Sequence, residues 1–394
     1  MARVLVLSFR APYPLTEGFK LRAYHLARLL ARDHEVDLLC LHDRPLSTDE
    51  HAHLASLFRR VIVVPHRGWR ARLQAALALP SSKPLQLGYY RSRRLRRWIT
   101  AHGQEYDLVF GFHLRMAPYM ADLPALKALD LIDAASLFYE GAQAYATGLW
   151  RRIYQSERAR VQSYEAEVLG WVDKAFVASP YDAAHLRSRV RQADRLVELP
   201  NGVRESLLEA PLAARTTDPA LAFLGKMDYA PNVDAARHFA SEIFPRLRRS
   251  NPDLGLWIIG TQPRPAVRAL ADIPGVTVTG HSDDPFALVQ RARLVVAPLR
   301  YGAGIPNKVL EAMALGKAVV ASEAGVRGIE GEAGRHYEIP PNDAAWPASI
   351  DGLLADPERR RRLGANARTL VMDRYRWDRV GNRLRCELAP LLSP

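Results

Sequence analysis

Short apolar runs alternate with amphipathic segments along the first half of the chain. Val4–Phe9 is a nearly continuous apolar run, which is typical of a strand buried on both faces of a parallel sheet. The segment that follows it carries apolar residues at the spacing of one helical face. Those residues are Leu21, Tyr24, Leu26, Leu29 and Leu30, and further strand-like runs lie at 34–41, Val61–Val64, Tyr106–Gly111, Leu129–Asp133 and Lys174–Ser179. This alternation predicts a doubly wound parallel sheet.

The same alternation starts again in the second half. Strand-like runs lie at 221–225, 256–260, 276–280, 294–299 and 318–322, and helices are predicted at Val233–Arg249, near Arg264–Leu270, near Phe286–Ala292, around Glu311 and within Pro357–Leu392. We therefore predict an α/β protein of two Rossmann-like domains that face a central cleft, where ligands of parallel sheets bind. The predicted domains are 1–205 and 206–375, with a C-terminal helix at about 376–394 that packs back on the first. Residues 200–219 are predicted to form the hinge.

Length and composition fit this organisation. A chain of 394 residues exceeds what one hydrophobic core usually supports, and 48% apolar residues is ordinary for a globular protein. Two cysteines, Cys40 and Cys386, are too few for a disulfide framework and indicate a reducing compartment. The chain begins directly in a strand-like run and lacks a long uninterrupted apolar stretch. We therefore expect a cytoplasmic protein.

The net charge of +13 is concentrated in one segment. Residues 51–100 contain eleven Lys or Arg residues and no Asp or Glu. Two helical patterns lie within this segment, with the apolar residues Trp69, Leu73 and Leu77 in the first and Leu95, Trp98 and Ile99 in the second. Such a basic amphipathic segment predicts contact with an anionic membrane surface, for example the inner face of the plasma membrane. The alternative is a pair of solvated helices that pack on their own domain, and nucleic-acid binding is not expected.

The segment Gly302–Ser322 carries the clearest candidate chemistry. A glycine-rich turn leads into a short helix, and unpaired N–H groups at a helix N-terminus favour phosphate oxygens. One turn further on, Glu311 can accept hydrogen bonds from hydroxyl groups. Glycines also follow other predicted elements, where a missing side chain lets a ligand approach the backbone. They are Gly18, Gly225, Gly260, Gly280 and Gly304. Phosphates beside vicinal hydroxyls indicate a nucleotide.

Several long segments resemble a known family. They include PYPLTEGFKLRAYHLARLLARDHEVDLLC, HLRMAPY, YEAEVLGWVDKAFVAS, LPNGV, FLGKMDYAPNVDAARHFASEIFPRLR and GAGIPNKVLEAMALGKAVVAS. The chain resembles the family 4 retaining glycosyltransferases of the GT-B fold, and among them the sugar transferases of exopolysaccharide and PEP-CTERM (exosortase) loci. The resemblance implies a nucleotide-diphosphate-sugar donor held mainly by the C-terminal domain and a hydroxyl acceptor held mainly by the N-terminal domain.

The resemblance also implies residue roles. Glu311 would bind the ribose hydroxyls, Lys226 would place a cation on the donor diphosphate, and His113 would lie beside the reacting sugar. The implied donor-binding residues are Gly18, Gly225, Lys226, Gly304, Ile305, Pro306, Asn307, Lys308 and Glu311. Ala303 stands where many relatives have a first glutamate, so the sugar of the donor is open. Lys308 is inferred to replace in part a second phosphate-binding lysine, because Pro231 and Asn232 occupy the segment that carries it in relatives.

Sugar transfer develops negative charge on the departing diphosphate, and preorganised cations stabilise that charge. We therefore expect Lys226 and Lys308 to be catalytic residues, and the resemblance adds His113, beside the reacting sugar, as the third. Candidate acceptor-side residues are Lys20, Arg22, His113, Asp133 and Ser136, although Asp133 could instead cap a helix and Lys20 and Arg22 could be surface charges. If configuration is retained, the departing phosphate can itself take the acceptor proton, so no general base is assigned. No metal and no cofactor are required by the sequence.

The predicted function is thus transfer of a sugar to a glycan, lipid-linked or small-molecule hydroxyl acceptor, in the biosynthesis of a surface polysaccharide or glycolipid. Three alternatives remain open at this point. A nucleotide-sugar epimerase would share the fold and the donor site. A glycosyltransferase could instead act on a small soluble natural product. A membrane- or nucleic-acid-binding module would use the basic segment, but this alternative does not explain the pattern of residues in Gly302–Ser322.

Overall fold

The computed structural model describes residues 1–190, 192–211, 218 and 220–392. Seven residues of the predicted hinge, 212–217 and 219, therefore lie outside the described residues. The chain forms two compact units, one of residues 1–200 with 378–394 and one of residues 201–377. The sequence placed the domain boundary five residues later, at 205/206. Each unit is built on its own parallel sheet.

Twelve strands make up the two sheets. They are β1 (Arg3–Ser8), β2 (Glu35–His42), β3 (Arg60–Pro65), β4 (Leu108–Phe112), β5 (Leu126–Ile132), β6 (Lys174–Val177), β7 (Leu196–Glu198), β8 (Ala220–Leu224), β9 (Gly255–Ile259), β10 (Val276–Gly280), β11 (Leu294–Ala297) and β12 (Val319–Ala321). The order is β3-β2-β1-β4-β5-β6-β7 in the first unit and β10-β9-β8-β11-β12 in the second, and every pairing is parallel. The predicted α/β class with two doubly wound sheets is confirmed.

Helices connect and cover the strands. They are α1 (Gly18–Asp33), α2 (Thr48–Ala55), α3 (Gly68–Leu77), α4 (Leu85–Tyr89), α5 (Arg93–His102), α6 (Ala117–Met120), α7 (Ala135–Tyr145), α8 (Gly148–Leu169), α9 (Pro180–Arg187), α10 (Glu205–Glu209), α11 (Ala230–His238), α12 (Phe244–Ser250), α13 (Pro265–Arg268), α14 (Pro285–Arg291), α15 (Asn307–Ala314), α16 (Glu323–Val326), α17 (Trp346–Ala355), α18 (Pro357–Arg374) and α19 (Trp377–Leu392). Nearly all of α19 belongs to the first unit.

The sequence pattern missed one strand and merged one helix. β7 has three residues, too few for a periodic signal, and it extends the first sheet beside β6. The helix predicted at Val233–Arg249 is α11 and α12 joined by a π-helical turn at Phe239–Ile243. Pro245 in the first turn of α12 has no N–H to donate to the preceding turn, which explains why the regular α-helical pattern is interrupted there.

Arg22 lies inside the first unit and not on a helix surface. Its Nε and Nη2 donate to Asp130 Oδ2 and Oδ1 at 2.7 and 2.8 Å, and its Nη1 donates to the carbonyl of Pro200 at 3.2 Å. Arg22 is 1% exposed and Asp130 is fully buried. The expectation that Arg22 is an acceptor-side residue is therefore corrected, because its guanidinium is already bound to a carboxylate. The pair ties α1 to the centre of the sheet.

We predict that Arg22→Met destabilises the first unit by about 3–5 kcal/mol, because it leaves the carboxylate of Asp130 buried without a counter-charge. The free energy of unfolding is measured by urea denaturation. Arg28→Met, an exposed position on the same helix, is the matched control and should change stability by less than about 0.5 kcal/mol. The double variant Arg22→Met with Asp130→Leu should recover part of the loss. Equal stability of the two single variants would contradict the assignment.

Candidate functional site

The candidate site of the second unit lies at the carboxyl ends of β8 and β11. Gly225 follows β8 directly, and α15 follows β11 after the loop 298–306. Gly304 in this loop has a φ of 72°, a left-handed conformation that glycine adopts without steric cost. The loop therefore turns sharply before α15, and it delivers Lys308 and Glu311 to the same edge of the sheet at which Gly225 lies.

Gly225 leaves room for two side chains. A Cβ atom at Gly225 would lie 2.6 Å from Asn232 Nδ2 and 3.1 Å from Lys308 Nζ. Lys308 Nζ donates to Asn232 Oδ1, and Asn232 Nδ2 donates to the carbonyl of Lys226 at 2.9 Å. Gly260, at the end of β9, also lies close to Gly225, because a Cβ at Gly260 would lie 1.7 Å from the carbonyl oxygen of Gly225. The missing side chain of Gly225 thus allows the Lys308 ammonium to lie over the end of β8, and that of Gly260 allows the end of β9 to approach the backbone of Gly225.

Lys308 and Glu311 both have pKa values shifted toward neutrality. Burial lowers the pKa of Lys308 to about 7, and Glu311 opposes this shift. Burial raises the pKa of Glu311 to about 7, against the opposing effects of Arg204 and Lys308. Arg204 Nε lies 3.5 Å from Glu311 Oε1, and Lys308 Nζ lies 4.9 Å from the centre of the Phe223 ring. Both groups can therefore change charge near pH 7 when a ligand binds.

The N-terminus of α15 is arranged to receive an anion. Pro306 is its N-cap and provides no side-chain acceptor for the N–H groups of the first turn. Asn307 begins the helix, and its Oδ1 accepts a hydrogen bond from Asn201 Nδ2 at 2.7 Å. Ile305, immediately before the cap, is buried and anchors the loop. The N–H group of Val309 donates to the carbonyl of Pro306, so the N–H groups of Asn307 and Lys308 are the ones that can bind phosphate oxygens, as the helix dipole favours.

Lys226 is placed differently from Lys308. Its Nζ lies 3.5 Å from Asp228 Oδ2, and its side chain is one-third exposed.

Asn201 and Arg204 are site residues that the sequence pattern did not predict. Both belong to the segment LPNGVR, which the sequence analysis assigned to the hinge although LPNGV was among the segments that carry the family resemblance. That resemblance was the signal that could have identified them.

In the first unit, two strained residues mark the carboxyl ends of β4 and β5. His113, after β4, has a φ of 68° and a ψ of 150°, and Ile132, at the end of β5, has a φ of 72°. A β-branched residue with positive φ is a genuine outlier, and such strain concentrates at functional sites. His113 Nδ1 lies 3.4 Å from the N–H of Arg115, and burial holds the imidazole pKa well below its usual value. The ring is therefore neutral at pH 7.

Asp133 follows Ile132 and remains available for a ligand. Its pKa is raised to about 8, chiefly by burial and also by the nearby carboxylates of Asp182 and Glu165, while Arg115 acts in the opposite direction. The N-cap of α7 is Ala134, so Asp133 does not cap that helix. Within the described ranges, the Asp133 side chain has no hydrogen bond to the rest of the chain. It is protonated at neutral pH and can donate a hydrogen bond.

Ser136 has a structural place. It is 1% exposed, its Oγ lies 2.9 Å from His185 Nε2, and its N–H donates to Glu165 Oε1 at 3.1 Å. The expectation that Ser136 contacts an acceptor is therefore corrected, because both of its polar groups are used inside the unit.

Lys20 is 8% exposed on α1, where burial lowers its pKa. Gly18 is the first residue of α1, whose N-cap Glu17 makes no side-chain capping bond.

The two helices of the basic segment differ. Leu95 and Ile99 of α5 are buried, and Trp98 lies 4.8 Å from the ring of His102. The apolar face of α5 therefore packs on its own unit, so Leu95 and Ile99 are not exposed for contact with a membrane surface. Trp69, Leu73 and Leu77 of α3 are instead 63%, 56% and 72% exposed. An apolar ridge without a partner in the described chain thus remains on α3.

Membrane-spanning helices and metal-binding clusters are both absent from the described part of the chain. None of its helices combines the length and the apolar character needed to cross a membrane. Across the same residues, no cluster of three or more His, Cys, Asp or Glu side chains is arranged to hold a metal ion.

Two parallel α/β units, each with ionisable groups at its strand ends, define a protein of two Rossmann-like domains, a class whose ligands bind at those ends. A family model described as Glycosyl transferase 4-like domain matches residues 17–202, and a second, described as Glycosyl transferases group 1, matches residues 218–356. The chain belongs to this family: it is a family 4 glycosyltransferase of the GT-B fold.

Similar proteins agree with this assignment. The chain is 27% identical over 336 residues to phosphatidyl-myo-inositol mannosyltransferase of Mycolicibacterium smegmatis, which covers 82% of this chain and 78% of that protein. Sucrose-phosphate synthase from Thermosynechococcus elongatus has the same fold, with a TM-score of 0.70, 17% identity and 99% of each chain covered. Anabaena HepE in complex with UDP also has it, with a TM-score of 0.68, 14% identity, and 98% of this chain and 100% of that chain covered.

We predict that His113→Gly is more stable than His113→Ala by about 1–2 kcal/mol, because glycine alone adopts this backbone conformation without strain. Both variants remove the imidazole, so their difference isolates the backbone. Urea denaturation measures it. If the two variants unfold at the same urea concentration, His113 is not held in a strained conformation.

Proposed function

We propose that the protein transfers a sugar from a nucleotide-diphosphate-sugar, bound by residues 201–377, to a hydroxyl acceptor bound by residues 1–200, with retention of configuration. The observation that carries this proposal is the group of Lys308, Glu311 and the uncapped N-terminus of α15 at one sheet edge. Positive charge and free N–H groups suit a diphosphate, and a carboxylate suits ribose hydroxyls. The nucleotide-sugar is a substrate, and no cofactor is proposed.

Lys308 is proposed to stabilise the departing diphosphate. Its ammonium is fixed over Gly225 by Asn232, so little reorganisation is needed when negative charge develops. The contact with Asn232 also supports the inference that Lys308 takes over the role of a second lysine. Lys226 is proposed as a more exposed cation near the same phosphates. Because these cations and the α15 dipole supply the positive charge, we propose that transfer does not require a divalent metal.

Glu311 is proposed to bind the ribose hydroxyls in its ionised form. A carboxylate accepts two hydrogen bonds from vicinal hydroxyls, and these bonds offset the burial that raises its pKa. Arg204, 3.5 Å away, holds the carboxylate in place and favours its ionised form. Gly18 is proposed to let the backbone at the start of α1 approach the phosphates.

On the acceptor side, His113 and Asp133 are proposed to bind hydroxyl groups. The neutral imidazole can accept a hydrogen bond, and the protonated carboxyl of Asp133 can donate one. Lys20 is proposed to contact a negatively charged part of the acceptor. The proton of the reacting hydroxyl is proposed to pass to the departing phosphate on the same face of the sugar, so no protein base is assigned.

We further propose that the enzyme acts in surface polysaccharide or glycolipid assembly, because its sequence resembles the sugar transferases of exopolysaccharide and exosortase loci. We also propose that it binds peripherally to the cytoplasmic face of the membrane. The relative from Mycolicibacterium smegmatis is named for action on a phosphatidyl lipid. The exposed ridge of Trp69, Leu73 and Leu77 supports membrane contact, because indole and leucine side chains bury at a lipid interface.

We predict that Glu311→Ala raises the KM for the donor and lowers kcat/KM by about 10- to 100-fold, since hydrogen bonds to a charged group contribute about 1.5–3 kcal/mol. The donor is first identified by calorimetric titration with UDP-, GDP- and dTDP-sugars. Glu323→Ala, which removes an exposed glutamate from α16, is the matched control and should leave both constants within twofold. Transfer that is indifferent to Glu311→Ala would rule out this role.

We also predict opposite pH dependences for two variants between pH 6 and 8.5. A diphosphate sugar stays ionised over this range, so changes in affinity report on the protein. Deprotonation of Lys308 weakens donor binding, whereas deprotonation of Glu311 strengthens it, and each has a pKa of about 7. Donor affinity should therefore rise with pH in Lys308→Gln and fall with pH in Glu311→Gln, while the parent protein shows a shallower profile. Profiles with the same slope in both variants would contradict these roles.

A further inference from the structure

A positively charged groove lies in the first unit, between α3 and α5. Its volume is about 630 Å³. Six arginines line it, and no carboxylate does so in the described part of the chain. They are Arg67, Arg70, Arg91, Arg93, Arg94 and Arg97. Guanidinium groups bind phosphate oxygens in a bidentate manner, so such a lining suits a compact group with several negative charges.

In the described part of the chain these six arginines have no carboxylate partner, whereas two nearby arginines do. Arg96, on α5 but outside the groove, lies 3.6 Å from Asp122, and Arg60 of β3 lies 2.8 Å from Asp37. Among the described residues, none of the six groove arginines forms an ion pair with a carboxylate. Six like charges around one volume repel each other, and a bound polyanion would remove that repulsion. Binding of an external anion in the groove is therefore electrostatically favourable.

One wall of the groove is joined to His113 by packed aromatic rings. His66, directly after β3, lines the groove, and its ring stacks on Tyr90 at 5.2 Å. Tyr90 contacts Phe9 at 5.3 Å, and Phe9 contacts His113 at 5.3 Å. His66 Nε2 is buried without a hydrogen-bond partner among the described residues. A continuous row of rings thus connects the groove to the residue proposed to bind the reacting hydroxyl.

The apolar ridge of α3 borders the same groove. At 100° per residue, Trp69, Leu73 and Leu77 occupy one face of α3, and the groove-lining Arg70 and Gln74 occupy the adjacent face. Arg70 also lies 5.0 Å from the centre of the Trp69 ring. A ligand that fills the groove with its anionic group can therefore lay a hydrocarbon chain against the ridge.

We propose that the arginine groove binds the diphosphate of an amphiphilic acceptor, with its hydrocarbon chain against α3 and its sugar toward His113. This proposal rests on the proposed sugar transfer and specifies its acceptor as a lipid diphosphate. A sugar acid would present a single charge to six guanidinium groups, and a nucleic-acid duplex is far wider than a groove of about 630 Å³.

The test uses farnesyl diphosphate as the probe and farnesol as the phosphate-free comparison, with the full chain at 0.15 M salt. Binding is followed by tryptophan fluorescence, and the signal should be lost in Trp69→Phe because Trp69 contacts Arg70. Arg94→Gln with Arg97→Gln removes two groove charges. Arg72→Gln with Arg246→Gln is the matched control, because it removes two exposed arginines outside the groove.

The proposal expects farnesyl diphosphate to bind the parent protein and the control with affinities within twofold, and the groove variant at least tenfold more weakly. Farnesol should bind weakly and equally to all three. Equal weakening in both double variants would overturn the proposal, since net charge alone would explain it. Loss of binding to phosphatidylglycerol vesicles in the groove variant, with unchanged affinity for farnesyl diphosphate, would also overturn it in favour of a bilayer contact. Donor affinity through Glu311 is measured separately, so failure of the donor site and failure of the groove are distinguishable.

Discussion

Ionisable side chains held at the carboxyl ends of parallel strands, with little access to water, are the constraint on which both candidate sites depend. Lys308, Glu311 and Asp133 each lie at such an end. Burial lowers the pKa of Lys308 and raises the pKa of Glu311 and of Asp133, and in each case this favours the uncharged form. An unpaired charge in such a place is costly, so the pKa values of these groups lie near neutral pH. A ligand of matching charge or hydrogen-bonding capacity can then change their state.

Buried polar groups in this fold divide by how completely they are bonded. Arg22 and Asp130 satisfy each other through two hydrogen bonds, and Ser136 uses both its hydroxyl and its N–H inside the unit. These residues hold elements together. Asp133 and the ring of His66 retain unused hydrogen-bonding capacity among the described residues, and His113 keeps a strained backbone. The candidate ligand-binding residues therefore differ from the structural ones in being less completely bonded and only partly buried.

The family resemblance and the residue chemistry contribute different kinds of knowledge. The fold is shared with enzymes of different names, such as a mannosyltransferase and a sucrose-phosphate synthase, at low identity. Such likeness shows the scaffold, and the chemistry of the site must carry the rest. Here that chemistry is local to this chain: Asn232 holds Lys308 over Gly225, and an arginine groove adjoins the row of rings that ends at His113.

The sequence alone determined the order and type of most elements, because buried parallel strands are short apolar runs and their connecting helices are amphipathic. It also located Lys308 and Glu311, since a glycine turn before a short helix is a local pattern. Only the tertiary structure decided which charges are already bound. Arg22 and Arg94 look alike in the sequence, yet one meets Asp130 across 108 positions and the other has no partner in the described chain. Likewise α3 and α5 have similar amphipathic patterns, but only packing against the rest of the unit decides which apolar face is buried. Pairing and packing depend on residues far apart in sequence, and that is information a local pattern does not contain.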